Sequence, residues 1–321
     1  MIRQLLILFL LFLVIGTYAQ QPFLQWADHF KGQASPTGDD YILATSIQTD
    51  QYGNLYTTGR FNTAVDFDPG PGIFILNTSA ASQPNVFISK LNDAGALLWV
   101  KKLDIREIED PALALDRYGN VYITGQLKVL TDMDPGPGIH TIAPIGSSDA
   151  FILKLDPQGN FLWVKQFGGT AEVPVGLSIT IDAYGDIIFG GHFNRTIDLD
   201  PGPQVYNLDA VTTETFIAKL TSNGDFIWAK QVGKFTVPGG NVSLSKVVCD
   251  PMGNIFLTGI FHGTADFDPG SPAFIVTSTG SVITYILKLS ITGDFIWVKT
   301  PEDMEFTGGI GTNRIDIDFN N

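Results

Sequence analysis

A motif of two aspartates flanking one apolar residue, closed by Pro-Gly, occurs four times: 66-DFDPGPG-72, 132-DMDPGPG-138, 198-DLDPGP-203 and 266-DFDPG-270. Its first aspartate falls at 66, 132, 198 and 266, in steps of 66, 66 and 68 residues, so one unit is copied along the chain. Such copying restricts the fold to near-identical units, each covering an apolar face of its neighbour.

Three further signals recur in fixed order. An aspartate-glycine turn (50-DQYGN-54, 116-DRYGN-120, 182-DAYGD-186, 250-DPMGN-254) precedes a short run ending in glycine (55-LYTTG-59, 121-VYITG-125, 187-IIFGG-191, 255-IFLTG-259). After the Asp-x-Asp-Pro-Gly element comes a pair of runs joined by a second glycine turn: 86-VFISKLNDAGALLWVK-101, 151-FILKLDPQGNFLWVK-165, 216-FIAKLTSNGDFIWAK-230 and 285-YILKLSITGDFIWVK-299. The runs are short, rich in β-branched and aromatic residues, and bounded by Gly, Asn, Asp or Pro, which predicts strands and hairpins. No window long enough for a helix carries a clean 3.6-residue period. In the first unit the strands are expected near 42–49, 54–61, 86–91 and 97–102. Four antiparallel strands per unit, repeated, predict an all-β chain: a β-propeller of four-stranded antiparallel blades. Trp26, Trp99, Trp163, Trp228 and Trp297 mark one strand per unit and are expected to pack between blades.

The phase of the repeat adds a detail. The stretch 24-LQWADHF-30 matches only the tryptophan strand of a unit, and 315-IDIDFNN-321 matches only the run before the first turn. Repeats are therefore expected near 26–98, 99–162, 163–227 and 228–296, with a partial fifth at 297–321. The expected domain is 20–321, truncated at its C-terminus, with an open or incomplete ring.

The first residues predict export. Arg3 precedes an unbroken apolar run, Leu5–Ile15, and 17-TYA-19 offers small residues before a cut after Ala19. The run has 11 residues, and a membrane span takes about 20. Met1–Ala19 is thus read as a removed signal peptide, leaving a chain that is secreted or displayed on a cell surface with no membrane span. A net charge of −14 argues against nucleic acid as a partner. The acidity is carried by 27 Asp against 6 Glu, a bias suited to turns and to tight metal loops. A single cysteine, Cys249, excludes an intrachain disulfide and reads as a small buried hydrophobe.

Taken together, 50-DQYGNLYTTGRF-61, 66-DFDPGPG-72 and 151-FILKLDPQGNFLWVKQFGG-169 resemble the SBBP-type β-propeller repeats. The resemblance covers about 25–321. It implies a propeller fold and export in Gram-negative bacteria, where many such proteins carry a type IX secretion sorting domain, an element lacking from these residues. It implies an extracellular or outer-surface role and no agreed catalytic activity.

The aspartate pairs admit two readings. In an extended segment residues i and i+2 share a face, so Asp66 with Asp68, Asp132 with Asp134, Asp198 with Asp200, and Asp266 with Asp268 could offer paired carboxylates to Ca2+, a hard cation that takes oxygen ligands. Alternatively each carboxylate caps backbone N–H groups of its own turn. The loops match neither a complete EF-hand nor a nonapeptide calcium loop, which favours capping. Asp50, Asp116, Asp182 and Asp250 read as hairpin-turn residues. His29, His140, His192 and His262 read as surface residues rather than a repeated ligand set, and no nucleophile elbow or phosphate loop is present. The expected function is non-catalytic: a binding, adhesion or display scaffold for an extracellular protein or glycan, without a cofactor other than Ca2+. The alternatives are a secreted carbohydrate-active propeller enzyme and a structural spacer.

Overall fold

Eight glycine turns join first strands to second and third strands to fourth in antiparallel hairpins. In the computed structural model, which describes residues 29–32, 41–78, 84–105, 111–169, 178–235, 239–278 and 282–300, Gly53, Gly95, Gly119, Gly159, Gly185, Gly224, Gly253 and Gly293 all have φ between 76° and 88°. Only glycine enters that region without strain. Each of these glycines donates its N–H to the carbonyl three residues back. The side chain at that earlier position accepts the N–H groups two and four residues on: Asp50 Oδ1 takes those of Tyr52 and Asn54, and Thr221 Oγ1 takes those of Asn223 and Asp225. The Met1–Ala19 leader, Trp26 and the 315–319 run lie outside the described residues.

Among the described residues these hairpins pair side by side into four antiparallel sheets of four strands, one per repeat. The first comprises Ile42–Thr49, Leu55–Phe61, Asn85–Leu91 and Leu97–Leu103; the second Ala112–Leu115, Val121–Leu127, Asp149–Leu155 and Phe161–Phe167. The third comprises Ser178–Ile181, Ile187–Asp198, Asn207–Leu220 and Phe226–Val232; the fourth Asn241–Cys249, Ile255–His262, Ile283–Leu289 and Phe295–Lys299. Within each sheet the strands pair in chain order, as in a propeller blade. Blades 3 and 4 are also joined by one parallel bridge, Thr213 to Asn241. Second and third strands are buried almost throughout, which explains why 151-FILKL-155 is apolar without strict alternation. The described residues contain no helix long and apolar enough to cross a membrane.

First strands of successive blades lie side by side. A bulge between Ala44 and Ser46 turns Thr45 toward the next blade, where its Oγ1 donates to the Pro111 carbonyl at 2.6 Å. Leu113 N donates to Ser46 Oγ at 3.3 Å, and two blades on Val247 N donates to Ser178 Oγ at 3.1 Å. The tryptophans hold the fourth strands in the same way. Trp99, Trp163 and Trp228, half-buried, lie against the turn glycines of the following blades, Gly159, Gly224 and Gly293. The Trp99 Nε1–H donates to the Pro157 carbonyl at 3.1 Å. Packing between blades, expected of these rings, is what they do here.

The Asp-x-Asp-Pro-Gly insert forms a narrow ribbon between the second and third strands: Val65–Asp66 with Ile75–Leu76, Thr131–Asp132 with Thr141–Ile142, and Thr264–Asp266 with Ile275–Thr277. In blade 3 it is continuous with the long strands Ile187–Asp198 and Asn207–Leu220. Each ribbon folds back over the fourth strand of its own blade. Tyr206 stacks on Phe226 at 4.8 Å and Phe274 on Phe295 at 4.8 Å. Three ribbons also pair with chain that precedes the blade. Asp66 pairs with Lys31, Ile197 with Gly169 and Asp266 with Lys234. Lys31–Gly32 thus occupies the place that the chain leaving a fourth strand takes in later units.

Candidate functional site

The four aspartate pairs lie in four separate loops, and their geometry is that of turn caps. Asp66 Oδ1 accepts the N–H of Asp68 at 3.1 Å and of Phe74 at 2.8 Å, and Asp68 Oδ1 accepts that of Gly70 at 2.8 Å. Asp132 and Asp134 repeat this with the N–H groups of Asp134, His140 and Gly136, at 3.1, 2.8 and 2.7 Å. Asp198 with Asp200, and Asp266 with Asp268, do the same. The backbone bonds from Phe74 and Asp68 hold the Asp66 carboxyl below its ordinary pKa. The residue between each pair, Phe67, Met133, Leu199 or Phe267, is fully buried. Phe67 lies 4.9 Å from Phe87 and 5.5 Å from Phe61, so each loop is anchored by an apolar plug. Among the described residues no three His, Cys, Asp or Glu side chains converge as a metal site would require.

The turns joining first to second strands present a different surface. Tyr52, Tyr118 and Tyr184 stand at one turn position in three successive blades and are 74%, 68% and 68% exposed; Met252, the fourth, is 76% exposed. Their backbone N–H groups donate to Asp50, Asp116, Asp182 and Asp250, all within 3.0 Å. Met252 makes the same bond as the tyrosines, so the turn does not need the ring.

Between blades 1 and 2 these turns border a cleft of about 310 Å3, lined by Asp50, Tyr52, Lys90, Asp116, Arg117 and Tyr118 among others. The Arg117 guanidinium lies 4.8 Å over the Tyr118 ring, with Nη2 donating to the Tyr118 hydroxyl at 2.6 Å. On the cleft floor Lys90 Nζ sits 4.7 Å above the Tyr56 ring. The equivalent lysines of blades 2 and 3 take further polar partners. Lys154 reaches across to the Ser222 carbonyl of blade 3 at 2.9 Å, and Lys219 is drawn into an ion pair with Asp182. Lys90 makes neither contact and lines the cleft.

Three positions were not legible as described. The tyrosines lay inside the turn motif, where the signal was an aromatic at one turn position in three of four copies. Asp149 and Glu214 are fully buried at the head of third strands, where Asn85 stands in blade 1. Asp149 accepts the Ile145 N–H at 2.6 Å and an N–H of Gln166; Glu214 accepts the Val211 N–H at 3.2 Å and an N–H of Gln231. His192 corrects an expectation. His29 and His140 are exposed and His262 is half-buried, but the Nδ1 of His192 is covered and finds no partner among the described residues. Burial lowers its pKa to about 4. Cys249 is half-buried, and burial first, then the Asp182 charge, pushes its thiol up to about 12, so it is not a reactive thiolate.

No family model matches the chain. An uncharacterized WD repeat-containing protein of Acanthamoeba polyphaga mimivirus is 23% identical over 232 residues, which cover 63% of this chain and 16% of that protein. Among solved structures, a luciferin-regenerating enzyme aligns at 12% identity with a TM-score of 0.34, over 85% of this chain and 80% of the other. Four blades of four strands, copied in sequence and stacked through their first strands and tryptophans, define the chain as a repeat β-propeller protein.

Proposed function

We propose that this is a non-catalytic, exported propeller of the SBBP type whose turn face binds an extracellular protein or glycan. The observation that carries this reading is the recurrence of an exposed ring, Tyr52, Tyr118 and Tyr184, at a position where the fold makes no use of it. Single exposed aromatics are unremarkable, but a repeated set on one face is a mark of an interaction surface. Aromatic side chains give large contact area at low entropic cost. The Met1–Ala19 leader supports placement outside the cell or on the outer surface.

The test compares the full chain with a Tyr52→Ser/Tyr118→Ser/Tyr184→Ser variant in binding to intact Gram-negative cells and to isolated envelope. Retention is expected for the first and loss for the second, at unchanged melting temperature. Equal retention would move the binding surface elsewhere. Turnover of polysaccharide or chromogenic glycosides by the purified chain would replace this reading with the carbohydrate-active enzyme.

A further inference from the structure

We infer that the cleft between blades 1 and 2 is a subsite for a neutral saccharide, held between Tyr52 and Tyr118. This rests on the binding-face reading above and names its ligand class. Two charges of each sign meet in the cleft, Asp50 and Asp116 against Lys90 and Arg117. On a chain of net charge −14 this is a locally balanced site. A polyanion or polycation gains little from it, whereas an uncharged ligand rich in hydroxyls finds donors and acceptors together.

The rings supply the other half of the recognition. A pyranose offers a face of C–H groups, which an aromatic ring's electron-rich face attracts, and hydroxyls around its edge for hydrogen bonding. Tyr52 and Tyr118 border the cleft, and Gln51, which is exposed, and Lys90 line the same space. A proline-rich peptide would require apolar slots between the rings. Apart from three tyrosines, the only large apolar side chains here are those of Leu115 and Pro157. The volume of about 310 Å3 lies at the small end of the range for ligand pockets, which suits one or two sugar rings. Recurrence of the ring at Tyr184 fits a polymer with its own repeat, since linked weak contacts reinforce one another.

The test is retardation of the full chain in native gels containing neutral glucan, mannan, galactan or xylan, followed by calorimetry with oligosaccharides of any that retard it. At least one polymer is expected to bind. Tyr52→Ala and Tyr118→Ala should each weaken binding by about tenfold, and Tyr52→Phe should stay within about threefold of wild type. Both rings are exposed, so an unchanged melting temperature checks that the variants fold. No retardation by any of the four, or retardation indifferent to both alanine variants, overturns the saccharide assignment. Binding of a polyproline peptide instead, lost in Tyr52→Ala, would overturn the sugar and leave the binding face standing. Failure of the triple serine variant to alter cell-surface retention would remove the face itself.

Discussion

Lys219 places its Nζ 2.8 Å from Asp182 Oδ2, in a contact that leaves 6% of one side chain and 1% of the other exposed. Asp186 completes the site at 3.2 Å. In the other blades the corresponding lysines Lys90, Lys154 and Lys288 lie over the rings of Tyr56, Tyr122 and Phe256, at 4.7, 4.8 and 4.9 Å. Blade 3 has Ile188 in place of the ring and Asp186 in place of Asn54, Asn120 and Asn254. The loss of the ring and the gain of the second carboxylate therefore act on the same lysine. Burial alone would lower its pKa, but the hydrogen bond and charge of Asp182, then those of Asp186, raise it instead.

Lys219→Met should destabilise the chain by about 3–5 kcal/mol, because it strands the buried Asp182 carboxylate without a counter-charge. Asp186→Asn should stay within about 1 kcal/mol of wild type, since the aligned asparagines donate Nδ2 to their turn aspartates, at 2.7–2.8 Å, and Lys219 keeps Asp182. Urea midpoints decide this; equal losses in the two variants would mean that the pair is not the stabilising unit.

Two glycines separate backbone strain from tryptophan packing. Gly185, at φ 88°, has open space where a Cβ would go. Gly224, at φ 78°, would put one 3.2 Å from Trp163 and 2.8 Å from Lys165 Cε. Gly185→Ala should cost about 1–2 kcal/mol from the left-handed conformation alone. Gly224→Ala should cost more, by whatever the seat of Trp163 loses. Identical shifts in denaturation midpoint would show that the tryptophan contact adds nothing.

His192 gives the chain a pH dependence of its own. Its folded pKa of about 4 lies below the ordinary 6.5, so between those values the unfolded chain binds more protons. Stability is then full above about pH 6.5 and falls as pH drops toward 4. His192→Gln, which installs the residue of Gln126, removes that component. Between about pH 7.5 and about pH 4.5 the wild type should lose on the order of 2 kcal/mol more than the variant. Parallel losses would mean the imidazole is solvated when charged.

Local signals carried most of the blade. The turn glycines and the strands near 42–49 and 97–102 follow from short-range pattern, because each hairpin closes over a few residues, and the tryptophan contacts follow from the repeat, which sets each ring against the next copy. The rest depends on contacts between distant parts of the chain. Nothing near 66-DFDPG-70 announces that Asp66 pairs with Lys31, or that the ribbon folds back over its own fourth strand. His192 read as a surface residue because Arg60, Gln126 and Ile260 stand at its position in the other copies, yet its Nδ1 is covered. The tyrosine face was hidden in a motif whose aspartate and glycine already accounted for the turn.

The aspartate pairs give the last test. As caps, they act through Oδ1 acceptors: Asp66 binds two N–H groups and Asp68 one. Asp66→Ala should therefore lower the melting temperature, and Asp66→Asn, which keeps an acceptor oxygen, should lower it less. The lowered pKa of Asp66 has a matching sign. Its contribution is present above the ordinary carboxylate value, near pH 4, and is lost as pH falls through the folded value. Added calcium or a chelator should leave the wild-type melting curve in place. Calcium at about 100 times a site's dissociation constant would stabilise the fold by about 2.7 kcal/mol per filled site, a shift easily seen. An upward shift with calcium that disappears in Asp66→Asn/Asp68→Asn would make these loops metal sites and the caps their metal-free form.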